Sequence, residues 1–278
     1  MSVEVKNLTK RYRIRKRTAN RKEAVRQLIA PQYKWITAVD NLSFTIPTGE
    51  IVGFIGANGA GKSTTLKMLT GILTPDQGNI MINGLDMKKH HRQIVSKIGV
   101  VFGQRSQLCW DIPVSESFRL FKDMYHIPEA VYKENIEIFS DILNLSDFMQ
   151  KPPRLLSLGQ RMKADLAAAL LHNPDVLFLD EPTIGIDVLA KTKIRDFIHT
   201  INRERNTTII LTTHDMSDIE DLCEKMIIID KGKLLYSGTL IELKKIYHAS
   251  DTRTIGEADN TDCGLESIVR NVYEGEFL

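Results

Sequence analysis

Apolar residues along this chain fall into two patterns. Glu50–Ile55 (EIVGFI), Val176–Leu179 (VLFL), Thr208–Thr212 and Met226–Asp230 are short apolar runs with the length and β-rich make-up of buried strands. Ser2–Lys6, Gly78–Ile82 and Gly99–Phe102 are expected as further short strands. Ala38–Ile46 alternates like a strand and ends in the turn Pro47-Thr48-Gly49-Glu50. Helical spacing is expected from Lys62 to about Thr70. It recurs over 114–151, with Phe118, Phe121, Ile136, Phe139, Ile142 and Leu143 as apolar positions, and again over Leu158–His172. Pro152-Pro153 separates the last two, and Asp230–Lys233 reads as a hairpin turn before Leu234–Tyr236. Strands and helices alternate, so the fold class is α/β around a parallel core. There is no internal repeat and no sustained heptad.

Composition narrows this little. The 278 residues suit one large domain or two small ones, and 42% hydrophobic with 26% charged residues is ordinary for a globular protein. That excludes a disordered or collagen-like chain. The three cysteines, Cys109, Cys223 and Cys263, form no C-x-x-C pair, which argues against a disulfide framework or structural zinc and for a reducing compartment. No apolar run approaches the length of a membrane span and the N-terminus lacks an apolar signal core, so a membrane role is expected to come through a partner.

Charge adds more than composition does. The chain carries a net +2, yet residues 1–36 alone carry +9 and the last 28 residues −5. The basic residues crowd between Lys10 and Arg26. A solvated surface loop or helix is one reading of this segment. Contact with anionic lipid headgroups is another, each Lys or Arg contributing about 1 kcal/mol near a charged surface. Nucleic acid ranks lowest, because no aromatic stacking motif interleaves the charges.

Chemistry concentrates in three places. Gly56–Ser63, GANGAGKS, fits the phosphate-loop pattern G-x-x-x-x-G-K-[ST] without mismatch. Gly56, Gly59 and Gly61 let the backbone curl so that successive N–H groups point inward, with the following helix presenting its positive end. Lys62 would reach the β/γ-phosphates, and Ser63 would offer a hydroxyl to Mg²⁺. VLFLDE then delivers Asp180 and Glu181 to a strand end, Asp180 as a Mg²⁺ holder and Glu181 as general base toward the attacking water. His214, in LTTHD, ends another apolar run and could contact the γ-phosphate.

With these residues in view, the chain resembles the nucleotide-binding subunit of ABC transporters over residues 1 to about 245. LSLGQ at 156–160 is similar to the family's signature LSGGQ, with Leu158 in place of a glycine. Gln104 in VVFGQ fits the Q-loop, Ile184-Gly185-Ile186-Asp187 a bulky D-loop, His214 the H-loop, and Tyr12 the A-loop aromatic that stacks on adenine. Tyr12 lies 44 residues before Gly56, which leaves Tyr33 and Trp35 as rival platforms. The resemblance implies a cassette with a RecA-like core, an antiparallel β subdomain and a helical signature subdomain at about 105–165. It implies ATP and Mg²⁺ as cofactors. Asn58, Ala60 and Thr64 would join the other phosphate-loop residues at the nucleotide, and Gln104 would join Ser63 and Asp180 at the metal. Ser157, Gly159, Gln160 and Asp187 would serve the ATP of a second subunit in a head-to-tail dimer, most simply a homodimer.

The stretch VVFGQRSQLCWDIPVSESF is similar to cassettes serving exporter-type permeases encoded as separate chains. Leu108, Trp110, Ile112 and Pro113 are its candidate permease-groove residues, or else internal packing of the helical subdomain. The expected location is the cytoplasmic face of the membrane, bound peripherally. An importer's ATPase, or a soluble ABC ATPase acting on nucleic acid or the ribosome, is the alternative. A basic insertion is expected at about 13–36. Beyond 245 the chain is expected to form a tail: an acidic linker, Ser250–Cys263, then a short helix at Gly264–Glu274 with Leu265, Ile268, Val269 and Val272 on one face. That helix could pack on its own cassette or on a dimer mate.

Overall fold

The computed structural model of the protein describes residues 2–15, 33–103, 105–251 and 264–275. Most of the basic segment, Gln104, and most of the acidic linker including Cys263 lie outside the described residues. An antiparallel sheet contains β1 (Val3–Arg15), β2 (Tyr33–Ile46), β4 (Gln77–Ile82) and β5 (Leu85–Asp86) in the order β2-β1-β4-β5. A second sheet contains β3 (Ile51–Gly56), β6 (Ile98–Phe102), β7 (Val176–Asp180), β8 (Thr208–Thr212), β9 (Lys225–Asp230) and β10 (Lys233–Thr239). Its order is β10-β9-β3-β8-β7-β6, parallel except for β10.

Strand period explains why the second sheet is central. Val176 and Phe178 of β7 point into the apolar cluster shared with the antiparallel sheet, beside Val52, Phe54 and Phe44. Leu177 and Leu179 point the other way, into the cluster covered by helices. Both faces are buried, so the strand reads as an unbroken apolar run. Phe178 is 1% exposed, and truncating such a side chain to Ala costs about 3–5 kcal/mol.

The helices are α1 (Lys62–Leu69), α2 (His91–Val95), α3 (Val114–Met124), α4 (Glu129–Leu143), α5 (Leu158–Leu170), α6 (Val188–Arg205), α7 (Met216–Leu222), α8 (Leu240–Asp251) and α9 (Leu265–Glu274). The helical stretch expected over 114–151 is two helices: α3 ends at Tyr125, and Pro128 caps the start of α4. Helix α6 and the short α2 were not placed by the sequence pattern. Helix α8 continues to Asp251, so its last turn occupies the start of the expected linker.

The flanks of the basic insertion are strands rather than a loop. β1 runs on to Arg15, and β2 begins at Tyr33, with Arg15 opposite Tyr33, Arg13 opposite Trp35 and Tyr12 opposite Ile36. β4 pairs with β1 only from Val3 to Thr9, so the ribbon extends past the sheet. Its outer part is exposed on both faces, with Trp35 64% accessible. The Arg13 guanidinium stacks 3.7 Å from the Tyr33 ring centre.

Candidate functional site

The C-terminal ends of β3, β7 and β8 open on one edge of the central sheet, where loops of a parallel sheet gather ligands. β3 feeds the phosphate loop. Gly61 sits at φ 106° with no side-chain cap on α1, and a Cβ there would lie 2.5 Å from the Ala38 carbonyl oxygen. Only glycine fits. The β9–β10 turn pins the loop from outside: the Gly232 N–H donates to the Ala60 carbonyl (2.9 Å), and the Asp40 N–H to the Gly232 carbonyl (2.8 Å).

Asn58, Gly59, Gly61, Lys62, Ser63 and Thr64 line one cavity of about 200 Å³ together with Glu181 and His214. Gly56 and Ala60 are buried beneath it. The Lys62 ammonium donates to the Gly56 carbonyl and, at 3.3 Å, to that of Ala57. Burial lowers its pKa, while the nearby Glu181 and Asp180 carboxylates pull it upward. A neighbouring cavity of about 370 Å³ joins Ser63, Lys67, Asp180 and Glu181 to Gly103 and Arg105, the two residues flanking Gln104. The Gly103 N–H donates to the Asp180 carbonyl at 2.7 Å.

Asp180 ends β7, and its Oδ1 accepts from Thr212 Oγ1 at 2.6 Å. Glu181 follows with φ 55°, a left-handed conformation rare for a residue with a long side chain. Its N–H donates to the Thr212 carbonyl at 2.9 Å. That backbone turn brings Glu181 Oε1 to 2.8 Å from His214 Nε2. Residues 33 positions apart thus form one pair at the cavity wall.

Beneath the pair lies a network the sequence reading missed. Asp218 is fully buried, and its Oδ2 accepts from the Thr183 and Thr213 hydroxyls. Its Oδ1 takes Arg195 Nε at 2.8 Å. This network ties the segment after Glu181 to the segment before His214 and to α6. The pair Thr212-Thr213 beside His214 is its only local signal; Arg195 and Asp218 are 23 residues apart. Asp215 caps α7, and a 2.7 Å bond from Lys191 holds its carboxyl down at about 2.

The signature residues lie elsewhere. Ser157 is the N-cap of α5: its Oγ accepts from the Gln160 N–H at 3.2 Å, while Gln160 Oε1 accepts from the Ser157 N–H at 3.0 Å. This is a capping box. A Cβ on Gly159 would lie 3.3 Å from that of Ala190, so the glycine lets α5 approach α6. Asp187 caps α6, accepting from the Ala190 N–H at 2.9 Å. Ser157, Gly159, Gln160 and Asp187 line neither cavity at the phosphate loop. Nor does Tyr12, which lies out on the ribbon with its ring centre 6.0 Å from Lys10 Nζ.

Helix α5 is also clamped to the segment after Gln104. Asp165 is buried, and its Oδ1 accepts from Ser106 Oγ (2.9 Å) and the Gln107 N–H (3.0 Å). Burial pushes its carboxyl up to about 6. Of the residues expected either in a permease groove or in internal packing, Leu108 belongs to the internal core. Trp110 is half exposed, with the Arg161 guanidinium 5.9 Å from its ring.

A strand, a glycine-rich loop and a helix facing an acid-ended strand define a phosphate-loop nucleotide-binding cassette. The profile of the family described as ABC transporter matches residues 39–184, and the chain belongs to that family. It is an ATP-binding subunit of the ABC transporter class, whose cassette hydrolyses ATP. It is 35% identical to the ABC transporter ATP-binding protein NatA of Bacillus subtilis (strain 168), over 80% of this chain and 90% of that one. It is 36% identical to the Nod factor export ATP-binding protein I of Ralstonia nicotianae, over 74% of this chain but 64% of the relative. Among solved structures, the ATP-binding subunit of an ABC transporter superposes with a TM-score of 0.78 at 23% identity, over 98% of this chain and 100% of that chain, a likeness of fold. A dimeric cassette in a post-hydrolysis state bound to ADP and Pi gives a TM-score of 0.71 at 26% identity, over 86% and 98%.

Proposed function

We propose that this chain drives a separate membrane permease by hydrolysing ATP between two copies of itself, in the direction of export. The observation that carries the hydrolytic part is the 2.8 Å contact between Glu181 and His214 on the wall of the phosphate-loop cavity. Backbone N–H groups from Gly56 to Thr64, with the Lys62 ammonium, hold the triphosphate. Ser63 and Asp180 open on one cavity and offer hard oxygen donors, a set that suits Mg²⁺ sharing its remaining positions with phosphate oxygens and water. Gln104 is the third candidate in that set. Bound there, Mg²⁺ neutralises charge on the β- and γ-phosphates. Glu181 takes the proton of the attacking water, and His214 holds Glu181 and the γ-phosphate end of the cavity in register. Tyr12, on the exposed ribbon, is the favoured adenine platform.

The dimer follows from what the cavity lacks in its own walls. Ser157, Gly159, Gln160 and Asp187 lie outside its walls, and Ile184, Val188 and Leu189 are exposed apolar residues near Asp187 in the chain. A head-to-tail second copy brings that face onto the first copy's ATP. One relative is named a Nod factor export ATP-binding protein, which supports the reading of export here. No helix among the described residues is long and apolar enough to cross a membrane. The permease therefore supplies the span, with Trp110 on the helical subdomain (about 105–165) as its contact and the cytoplasmic membrane face as the location. Arg11, Arg13 and Arg15 on the exposed ribbon, with Trp35, suit anionic lipid headgroups better than nucleic acid.

The test is a mild-detergent pull-down of the tagged chain from its native membranes. A small polytopic permease should co-purify, and ATPase activity should rise in its presence. Recovery of ribosomes or nucleic acid without any membrane protein would overturn the transport reading.

A further inference from the structure

We propose that the C-terminal helix α9 is a positioning element of the hydrolytic site, and that Glu266 is the side chain through which it acts on the Glu181–His214 pair. This rests on the assignment of that pair to hydrolysis. After α8 the chain returns to its own cassette, and α9 buries Leu265, Ile268, Val269 and Val272 in the same apolar cluster as Ile219 and Leu222 of α7 and Leu243 and Tyr247 of α8. Helix α7 begins two residues after His214, with Asp215 as its N-cap. The surface that α9 covers is therefore the helix that fixes where the histidine's backbone stands.

The first turn of α9 then reaches the site itself. Glu266 lines a cavity of about 430 Å³ whose other walls include Glu181, Thr183, Lys191, His214 and Asp215. Burying the apolar face of α9 does not require an acid at this position, since Glu266 is exposed and on the helix's other side. Within that cavity the two basic groups are already engaged, Lys191 with Asp215 at 2.7 Å and His214 with Glu181 at 2.8 Å. Glu266 is a third carboxylate facing them. Its carboxylate is a second acceptor on the same cavity wall, placed to compete with Glu181 for the imidazole and so to set how His214 holds Glu181.

The Tyr273 hydroxyl is buried with no hydrogen-bond partner among the described residues, and Asp230 lies near enough to add to the upward push of burial on its ionisation. Asp230 ends β9, and Gly232, two residues on, donates to Ala60 in the phosphate loop. The packing of α9 thus bears on the histidine side of the nucleotide cavity, through α7.

The full-length chain tests this through kcat, KM for ATP, equilibrium ATP affinity and the thermal midpoint. Glu266→Gln is expected to lower kcat about three- to tenfold with the other three quantities unchanged, and Glu266→Asp to retain most of the activity. Ile268→Asp, which undocks the helix, is expected to lower kcat about tenfold or more with ATP affinity within about twofold, and Ile268→Leu to restore it. A wild-type kcat in Glu266→Gln overturns the proposal whatever Ile268→Asp does. So does loss of ATP affinity in step with kcat in Ile268→Asp, which would make α9 a purely structural support. Undiminished turnover in Glu181→Gln would instead overturn the site assignment, so the two failures are distinguishable.

Discussion

Helices α1 and α5 both carry a glycine at or just inside their starts, Gly61 and Gly159, but their N-termini are finished differently. At α1 no side chain caps the terminus. The Gly-rich turn, the left-handed Gly61 and the Lys62 ammonium leave the donors turned into a cavity. At α5 the chain closes its own terminus, with Ser157 and Gln160 exchanging hydrogen bonds in a capping box. The first terminus is a half-site built around a triphosphate. The second is stable without one, and it can lend a hydroxyl and a helix end to another molecule's phosphate without first being organised by it. A cassette with one open and one closed terminus is directional, and that asymmetry suits a head-to-tail pair.

Substitutions can break this contrast. The largest effect is expected from Glu181→Gln: turnover should fall about 10²–10⁴-fold while ATP binding survives, and an ATP-dependent dimer should accumulate, read by single-turnover assays and light scattering. Normal hydrolysis in that variant would remove the base assignment. Lys62→Ala acts on the open terminus directly, and ATP affinity should drop about 10- to 100-fold in an equilibrium titration. An unchanged affinity would mean that the loop is not the phosphate site.

Asp165→Asn probes the clamp behind the closed terminus through pH. The Asp165 carboxyl is held up at about 6, above its unfolded value of about 4. The folded chain therefore binds this proton more tightly than the unfolded chain. Its contribution favours the fold below about pH 4 and is lost as pH rises through about 6. The amide variant should flatten that part of a thermal-midpoint profile, which corresponds to about 3 kcal/mol across the window. A slope identical to wild type would show that Asp165 is not the group responsible. Smallest is Ser157→Ala, which removes half of the capping box and should cost about 1 kcal/mol of stability. It should leave the isolated chain's ATP affinity unchanged and weaken only the ATP-dependent dimer. A direct loss of monomer affinity would put the signature in its own chain's site.

These two termini also mark what a sequence reader can see. GANGAGKS and VLFLDE are contiguous, and each declares its chemistry through local geometry: a strand, a required glycine, a helix start. The unbroken apolar run of β7 likewise made the core sheet legible. Partners distant in the chain were not visible. Nothing near Asp218 announces Arg195 or Thr183, and Thr212 reveals its hold on Asp180 only once β8 lies beside β7. The basic ribbon was hidden for the opposite reason. Its outer strands bury neither face: Arg11-Tyr12-Arg13-Ile14-Arg15 does alternate charged and apolar residues, but so short a stretch inside a dense basic run reads first as a charged surface segment. Leu108 and Trp110 could not be told apart in the sequence as groove or internal packing; the fold buries Leu108 in the core and leaves Trp110 half exposed.

The left-handed backbone at Glu181 has a consequence for how this position would drift under selection. A non-glycine residue at φ 55° carries a conformational penalty of about 1–3 kcal/mol, which glycine would shed and asparagine would reduce. In a library sorted for resistance to heat alone, codons for Gly and Asn should enrich at 181. In one sorted for turnover, Glu should win despite its strain. The separation between the two outcomes would weigh, in free energy, how far the fold yields to the reaction it serves.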